Sequence, residues 1–234
     1  MKNNEIAVLL AAGIGTRLRP ITYTTPKPLI CVWGRRMIET IIDALVYRKV
    51  KKIYIVVGYK GNEFEYLEKK YNNVSIIKNP YYETYNNVSS IYSVMDQIRG
   101  NNCFICEADL FISDIKILMN DNVKSCYYGK YVGGYSEDWL FKQDSEGRIT
   151  HICKGGTDCY NMCGISYFKR DDVNAILSEL QQIWGKNGTE LLFWDEVVDK
   201  ILDKIDVEIY PIEPNKIIEI DTIEELKAID FTYN

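Results

Sequence analysis

The sequence predicts an α/β protein: a doubly wound, mostly parallel sheet with Rossmann-like character and an antiparallel extension covering its ligand edge. Three observations predict it. Short β-rich apolar runs alternate with segments of helical spacing through the first half of the chain. Beyond residue 120 the alternation gives way to successive strand runs. A glycine-rich loop follows the first strand run, at the carboxyl edge where open parallel sheets hold ligands.

The strand runs of the first half are EIAVLL (5–10), KIYIVVG (52–58), VSIIK (74–78) and CFICEAD (103–109). Between them, MIETIIDALVYRK (37–49), NEFEYLEKKY (62–71) and VSSIYSVMDQIRG (88–100) repeat apolar residues three and four apart, as helices packed on a sheet do. Right-handed crossovers then make the sheet parallel. VKSCYYGKYV (123–132), DWLFKQDSEGRITHIC (138–153) and YNMCGISYFK (160–169) read as strands, with DSEG a turn inside the second. Helices return at DDVNAILSELQQIW (171–184) and WDEVVDKILDK (194–204). Two short strands, VEIYPI and IIEID, precede a last helix that begins near Asp221.

With 234 residues, 47% of them hydrophobic, the chain is long enough for one sizeable core, and no repeat or Pro/Gly/Ser-rich linker divides it. One domain is expected over 1–234, with an alternating strand–helix half (1–120) and a second half of successive strands and C-terminal elements (121–234). The 33 acidic and 28 basic residues leave a net charge of −5 without a long basic run, which excludes a nucleic-acid backbone as the expected partner. No window is long and apolar enough to span a membrane, and MKNNEIAVLL lacks a signal-cleavage pattern, so no membrane partner and a cytoplasmic location are expected. An odd count of seven cysteines suits reduced thiols. Cys103 and Cys106 form a CxxC within a strand run, where residues three apart point to opposite faces and cannot share zinc; packing cysteines are expected, with Cys153, Cys159 and Cys163 further on.

The stretch LLAAGIGTRLRPITYTTPKPL (9–29) fails both common phosphate-loop patterns. Leu18 stands where the dinucleotide fingerprint requires its third glycine, and no GK[ST] follows. What remains is a loop in which Leu10, Ala11, Ala12, Gly13, Gly15 and Thr16 let backbone amides approach a phosphate. Arg17 adds a bidentate clamp and Lys27, braced by Pro26 and Pro28, a point charge. An ordinary turn with solvated cations is the alternative.

This stretch resembles the signature of nucleotidyltransferases that couple NTPs to phosphorylated small molecules, the sugar-1-phosphate nucleotidylyltransferase-like (nucleotide-diphospho-sugar transferase-like) superfamily. YNNVSSIYSV (85–94), CEADLFIS (106–113), EDWLF (137–141), LLFWDEVV (191–198) and IIEIDTIEEL (217–226) extend the resemblance over nearly the whole chain, toward the small bacterial CTP:phosphocholine cytidylyltransferases.

The resemblance implies transfer of CMP from CTP to phosphocholine, with Mg²⁺ held by Asp109 and Asp221. Both aspartates follow apolar runs and offer the hard oxygens that Mg²⁺ takes, although Asp109 would also suit a strand-end turn and Asp221 a helix N-cap. Glu107 stands where the family often has another aspartate. Arg17 and Lys27 are the catalytic cations it implies, and Lys154 matches the region in which related sugar enzymes place a lysine on the acceptor phosphate. Asn87 and Ser90 fall in the loop that reads cytosine, with Asn86 or Asn87 equally suited to capping a helix. For the acceptor it implies Trp139, Trp194, Asp195 and Glu219, since a quaternary ammonium is held by aromatic faces and a carboxylate. Asp195 would also sit well at a helix N-terminus, and Tyr128, Tyr131 and Tyr167 are further aromatics with packing as the alternative. Related acceptors with a primary amine (2-aminoethylphosphonate, phosphoethanolamine), another small phosphorylated metabolite, a sugar 1-phosphate, or a non-catalytic relative remain alternatives. The single histidine, His151, fits a transfer that requires no general base.

Overall fold

Strand β1 (Glu5–Ala11) shows why the sheet is covered on both sides. Ala7, Leu9 and Ala11 face one buried layer while Ile6 and Val8 face the other. The computed structural model describes residues 5–121 and 123–233. On either side of β1, β4 (Lys52–Val57) and β6 (Asn102–Glu107) pair in parallel, and β5 (Val74–Lys78) extends the parallel run beyond β4. Beyond β6 lie β9 (Ile149–Phe168), β8 (Ser125–Gln143) and β10 (Val207–Pro211), so the seven-stranded order is β10-β8-β9-β6-β1-β4-β5. β9 is antiparallel to both of its neighbours, which makes it the start of the antiparallel extension.

One layer is closed by α1 (Met37–Tyr47) and α2 (Tyr66–Lys70). The other is closed by α3 (Val88–Ile98), α4 (Arg170–Ile183) and α5 (Trp194–Asp199). Cys106 belongs to the first layer and Cys103 to the second, as the strand parity required, and all seven cysteines are free. A smaller third cluster brings Leu18 and Ile30 of the glycine-rich loop region together with Phe111, Ile220 and Leu226. It joins that loop to β7 (Leu110–Ile112), β11 (Ile217–Glu219) and α6 (Ile223–Ile229), segments far away in the chain. Two further short strands, β2 (Cys31–Val32) and β3 (Arg35–Arg36), form a hairpin before α1.

Some boundaries differ from expectation for identifiable reasons. The helix expected over 62–71 is a 3₁₀ turn, Gly61–Phe64, followed by α2; Phe64 and Leu67 are buried in the core, and Tyr66 and Tyr71 pack against it partly exposed. α5 stops at Asp199 rather than 204; the Arg148 guanidinium donates to the carbonyls of Leu202 and, at 3.0 Å, Ile205, holding that segment in turns. The three strand runs after residue 120 are two long strands joined by the expected DSEG turn. Register shifts between Val132 and Phe141 fold this ribbon back on itself, so that Leu140 pairs with both Cys153 and Asn161. Among the described residues no helix is long and apolar enough to cross a membrane.

Candidate active site

The loop after β1 turns at Gly15, whose φ of 69° is a left-handed conformation open to glycine. A Cβ there would stand 3.0 Å from Lys27 Cβ and 3.1 Å from Thr22 Cγ2. The Thr22 hydroxyl donates to the Gly15 carbonyl (2.9 Å), and Tyr59 donates in turn to the Thr22 carbonyl (3.0 Å). The next turn, Thr16–Leu18, buries Leu18 and sends Arg17 outward. Lys27 begins its own turn, Lys27–Leu29, between the two prolines and is buried. Its Nζ donates at 2.6 Å to Asp109 Oδ2 and at 2.6 Å to Asp221 Oδ1, while Arg17 Nη2 donates to the same Asp221 oxygen at 2.8 Å. Burial works against the lysine's charge, but Asp109 and Asp221 outweigh it and hold the pKa above the ordinary value.

Asp109 and Asp221 thus arrive from separate strand ends within reach of a single ammonium. Asp221 does not cap α6: Thr222 does, accepting from the Glu225 amide in a capping box. Asp109 Oδ1 is buried and has no hydrogen-bond partner among the described residues, an expensive state for a carboxylate oxygen unless a cation takes it up. Two hard carboxylates, one with a free buried oxygen, fit Mg²⁺ bound in part by substrate phosphates. Among the described residues no cluster of three or more His, Cys, Asp or Glu forms a metal cage by itself, so phosphate and water oxygens would complete such a site.

Two residues before each aspartate, strand parity puts a glutamate on the same face: Glu107 on β6 and Glu219 on β11. Burial, with repulsion from Asp109, Glu219 and Asp195, drives the Glu107 carboxyl well above its usual range. Glu219 keeps accessible surface in the open cleft, yet loss of water and the charges of Asp109 and Asp221 push it up to about 7. Asp195, buried in the first turn of α5, is pushed up to about 7 chiefly by burial, against the stabilising hydrogen bond donated by Tyr127 (2.9 Å).

All of these groups line one cleft of about 490 Å³ or a hollow of about 230 Å³ beside it. Leu10, Gly13, Arg17, Asp109 and Asp221 border both, which makes them one continuous site. Ala12 lines the cleft; Ala11, Gly15, Thr16 and Lys27 line the hollow. Asn87 and Ser90 reach the cleft as well, each with a side-chain oxygen engaged. Asn87 precedes α3 without capping it, and its Oδ1 accepts from the Trp194 amide (2.9 Å), tying the start of α5 to that of α3. Ser90 Oγ accepts from Asn79 (3.2 Å).

The aromatic residues divide. Trp139 lines the cleft, whereas Trp194 is core: it is 4% exposed, packed with Tyr127 and Phe168, and borders only a small void behind the cleft floor. Trp194, the first residue of α5, turns inward, while its predecessor Phe193, at the N-cap, faces the cleft with its ring centroid 5.6 Å from that of Trp139. Tyr128 and Tyr167 are buried in the core, and Tyr131 stands on the surface against Tyr160. Lys154 lines the cleft, and its ammonium lies over the ring of Trp139 (5.0 Å).

Tyr82, Tyr85, Phe193, Glu137, Asp138, Lys130 and Asn79 also line the cleft and were not singled out from the sequence. A signal existed for Asn79, which directly follows β5 at the carboxyl edge of the sheet. Lys130, Glu137 and Asp138 depend on how the β8–β9 ribbon folds back, whereas Tyr82 and Tyr85 come from the loop between β5 and α3 and Phe193 from the start of α5.

A nucleotidyl transferase family model matches residues 6–126, the segment that carries the loop, β4, β5 and β6. The chain is 44% identical to a 2-aminoethylphosphonate cytidylyltransferase of Lancefieldella rimae over 97% of this chain and 92% of that one. The chain belongs to the nucleotidyl transferase family. This nucleotidyltransferase is also 30% identical to a choline-phosphate cytidylyltransferase of Streptococcus pneumoniae, over 96% of both chains. The solved structure of the CTP:phosphocholine cytidylyltransferase from that organism superposes with a TM-score of 0.89 at 28% identity, covering 98% of this chain and 99% of the other. The nucleotidyltransferase is therefore an enzyme of the cytidylyltransferase branch, and its mixed sheet is that of solved nucleotidyltransferases.

Proposed function

We propose that the enzyme transfers CMP from CTP to a small acceptor that carries a phosphonate or phosphate at one end and a primary ammonium at the other, with 2-aminoethylphosphonate as the type. An acceptor oxygen forms the new bond to the α-phosphorus, and the bond from that phosphorus to the β-phosphate oxygen breaks to release pyrophosphate. The acceptor oxygen is already anionic near neutral pH, a phosphate monoester having its second pKa near about 6, so no general base is needed. His151 is engaged with Asp199 (2.8 Å) on the exposed face of the ribbon and takes no part in this reading.

Arg17 and Lys27 stand where they would neutralise the triphosphate as charge moves to the leaving group, and the amides of the Gly13–Gly15 turn would hold the phosphates in line. Asp109 and Asp221 would hold Mg²⁺, which when bound supplies further charge neutralisation on the phosphates. Lys27 bridges the two carboxylates and keeps them close together.

The observation that carries the amine reading is the carboxylate content of the cleft wall. Glu107, Glu137, Asp138, Asp195 and Glu219 face it beside the metal aspartates, offering a primary ammonium the acceptors its N–H groups require. The 44% identical relative supports the same reading. One observation favours phosphocholine, the reading first suggested by resemblance: Trp139 and Phe193 form an aromatic corner of the kind that holds quaternary ammonium groups. ³¹P NMR of CTP with each acceptor tests the choice. A new diphosphate-type product with 2-aminoethylphosphonate, formed faster than any product with phosphocholine, is expected; the reverse order would replace the amine by choline.

A further inference from the structure

The aromatic corner in the cleft is already filled by the protein's own cation. Lys154 stands directly across the β8–β9 ladder from Trp139, and its Nζ lies 5.0 Å from the Trp139 ring centroid and 5.9 Å from that of Phe193. Both distances are within cation–π range, and the two rings meet at 66°, so they wall the ammonium on two sides. Among the described residues Lys154 makes no ion pair, although Asp138 and Glu137 line the same cleft. The aromatic faces are thus its specific partners, and a register pair fixes it opposite them.

We propose that Lys154 is a specificity-determining residue that occupies the aromatic seat and selects against acceptors with a quaternary ammonium. The inference rests on the amine-acceptor reading above and deepens it. A trimethylammonium group carries no N–H, gains little from the carboxylates that a primary ammonium can hydrogen-bond, and depends on aromatic faces for its affinity. With Lys154 seated there, it meets both a steric block and a like charge. A primary ammonium avoids this conflict by turning to Asp195, Glu107 and Glu219. One exposed side chain thereby decides between two acceptors that differ only in methylation of the amine and in the phosphorus linkage.

The seat can be read without turnover, using tetramethylammonium as the probe in isothermal titration calorimetry. Lys154→Met should raise its affinity by at least ~10-fold over wild type, the scale of a recovered cation–π contact. Adding Trp139→Ala should abolish the gain, and Lys130→Met, which removes a cation from the same cleft away from the rings, should not reproduce it. Unchanged affinity in Lys154→Met, a gain that survives loss of Trp139, or an equal gain in Lys130→Met would overturn the proposal. In kinetics, Lys154→Met should raise the ratio of kcat/KM for phosphocholine over 2-aminoethylphosphonate by a similar factor, and Lys154→Gln should shift it in the same direction; a fixed ratio counts against the seat. Should wild type use neither acceptor, the amine reading fails, while the tetramethylammonium titration still decides the role of Lys154.

Discussion

At the scale of single residues, the site combines a lysine and two aspartates whose charges compensate one another until substrate arrives. Asp109 carries the most exacting role, with one oxygen on Lys27 and the other buried without a partner. Asp109→Asn keeps the volume and removes the charge. It should lower kcat by about 10²–10³, or ~3–4 kcal/mol of transition-state stabilisation, with an unchanged circular dichroism spectrum. A rate near wild type at saturating Mg²⁺ would remove Asp109 from the proposed metal site. Asp195 gives a pH signature. Its carboxyl is raised to about 7 by burial, so between roughly pH 4 and 7 the folded state keeps a proton that the unfolded state has released, and stability falls as pH rises through that window. In urea titrations across that range the decline should be weaker for Asp195→Asn than for wild type. The acceptor KM of wild type should also fall as pH passes about 7 and the carboxylate becomes available to an amine, a step that shrinks in the variant, where Glu219, raised to about 7 as well, still titrates. These residues were legible because chemistry concentrates at strand ends. Trp194 was misplaced toward the cleft because neighbouring aromatics in FWD face opposite ways, and sequence alone does not say which one turns inward.

At the scale of elements, the first loop is legible in the sequence and the β8–β9 ribbon only partly so. A glycine-rich turn after an apolar strand has local causes: Gly15 needs its left-handed φ, and its lack of a side chain lets Lys27 and Thr22 close on it. Gly15→Ala should therefore cost about 1–2 kcal/mol in denaturant unfolding and weaken CTP binding by displacing Lys27, since both backbone strain and contact oppose the methyl group. Unaltered stability and CTP affinity would mean the turn relaxes freely. The ribbon has non-local causes. Its bulges and fold-back decide that Trp139 meets Lys154 and Phe193, and neither period-2 alternation nor turn residues specify that return path.

At the scale of the whole molecule, one sheet runs from the parallel strands of the first half through β6 into the antiparallel extension, and the cleft lies across that continuity. Its far side is pinned by a buried ion pair. Arg48, just after α1, holds Glu5 of β1 at 2.8 Å through two nitrogens and also donates to the carbonyls of Leu118 and Asn120. Arg48→Met should lower unfolding free energy by about 3–5 kcal/mol, because it removes the guanidinium that compensates the buried Glu5 carboxylate and leaves the neutral Tyr167 hydroxyl (3.3 Å) beside it, while molecules that remain folded keep their acceptor preference. A stability loss below ~1 kcal/mol would show that the pair is dispensable.

Pyrophosphate release, measured with Mg²⁺ and each of the four NTPs against 2-aminoethylphosphonate, phosphoethanolamine, phosphocholine and glucose 1-phosphate, reads the function of this cleft most directly. Release with CTP, fastest with 2-aminoethylphosphonate, is the predicted result. Preference for another nucleotide, for the sugar phosphate, or for phosphocholine over both primary amines would contradict it.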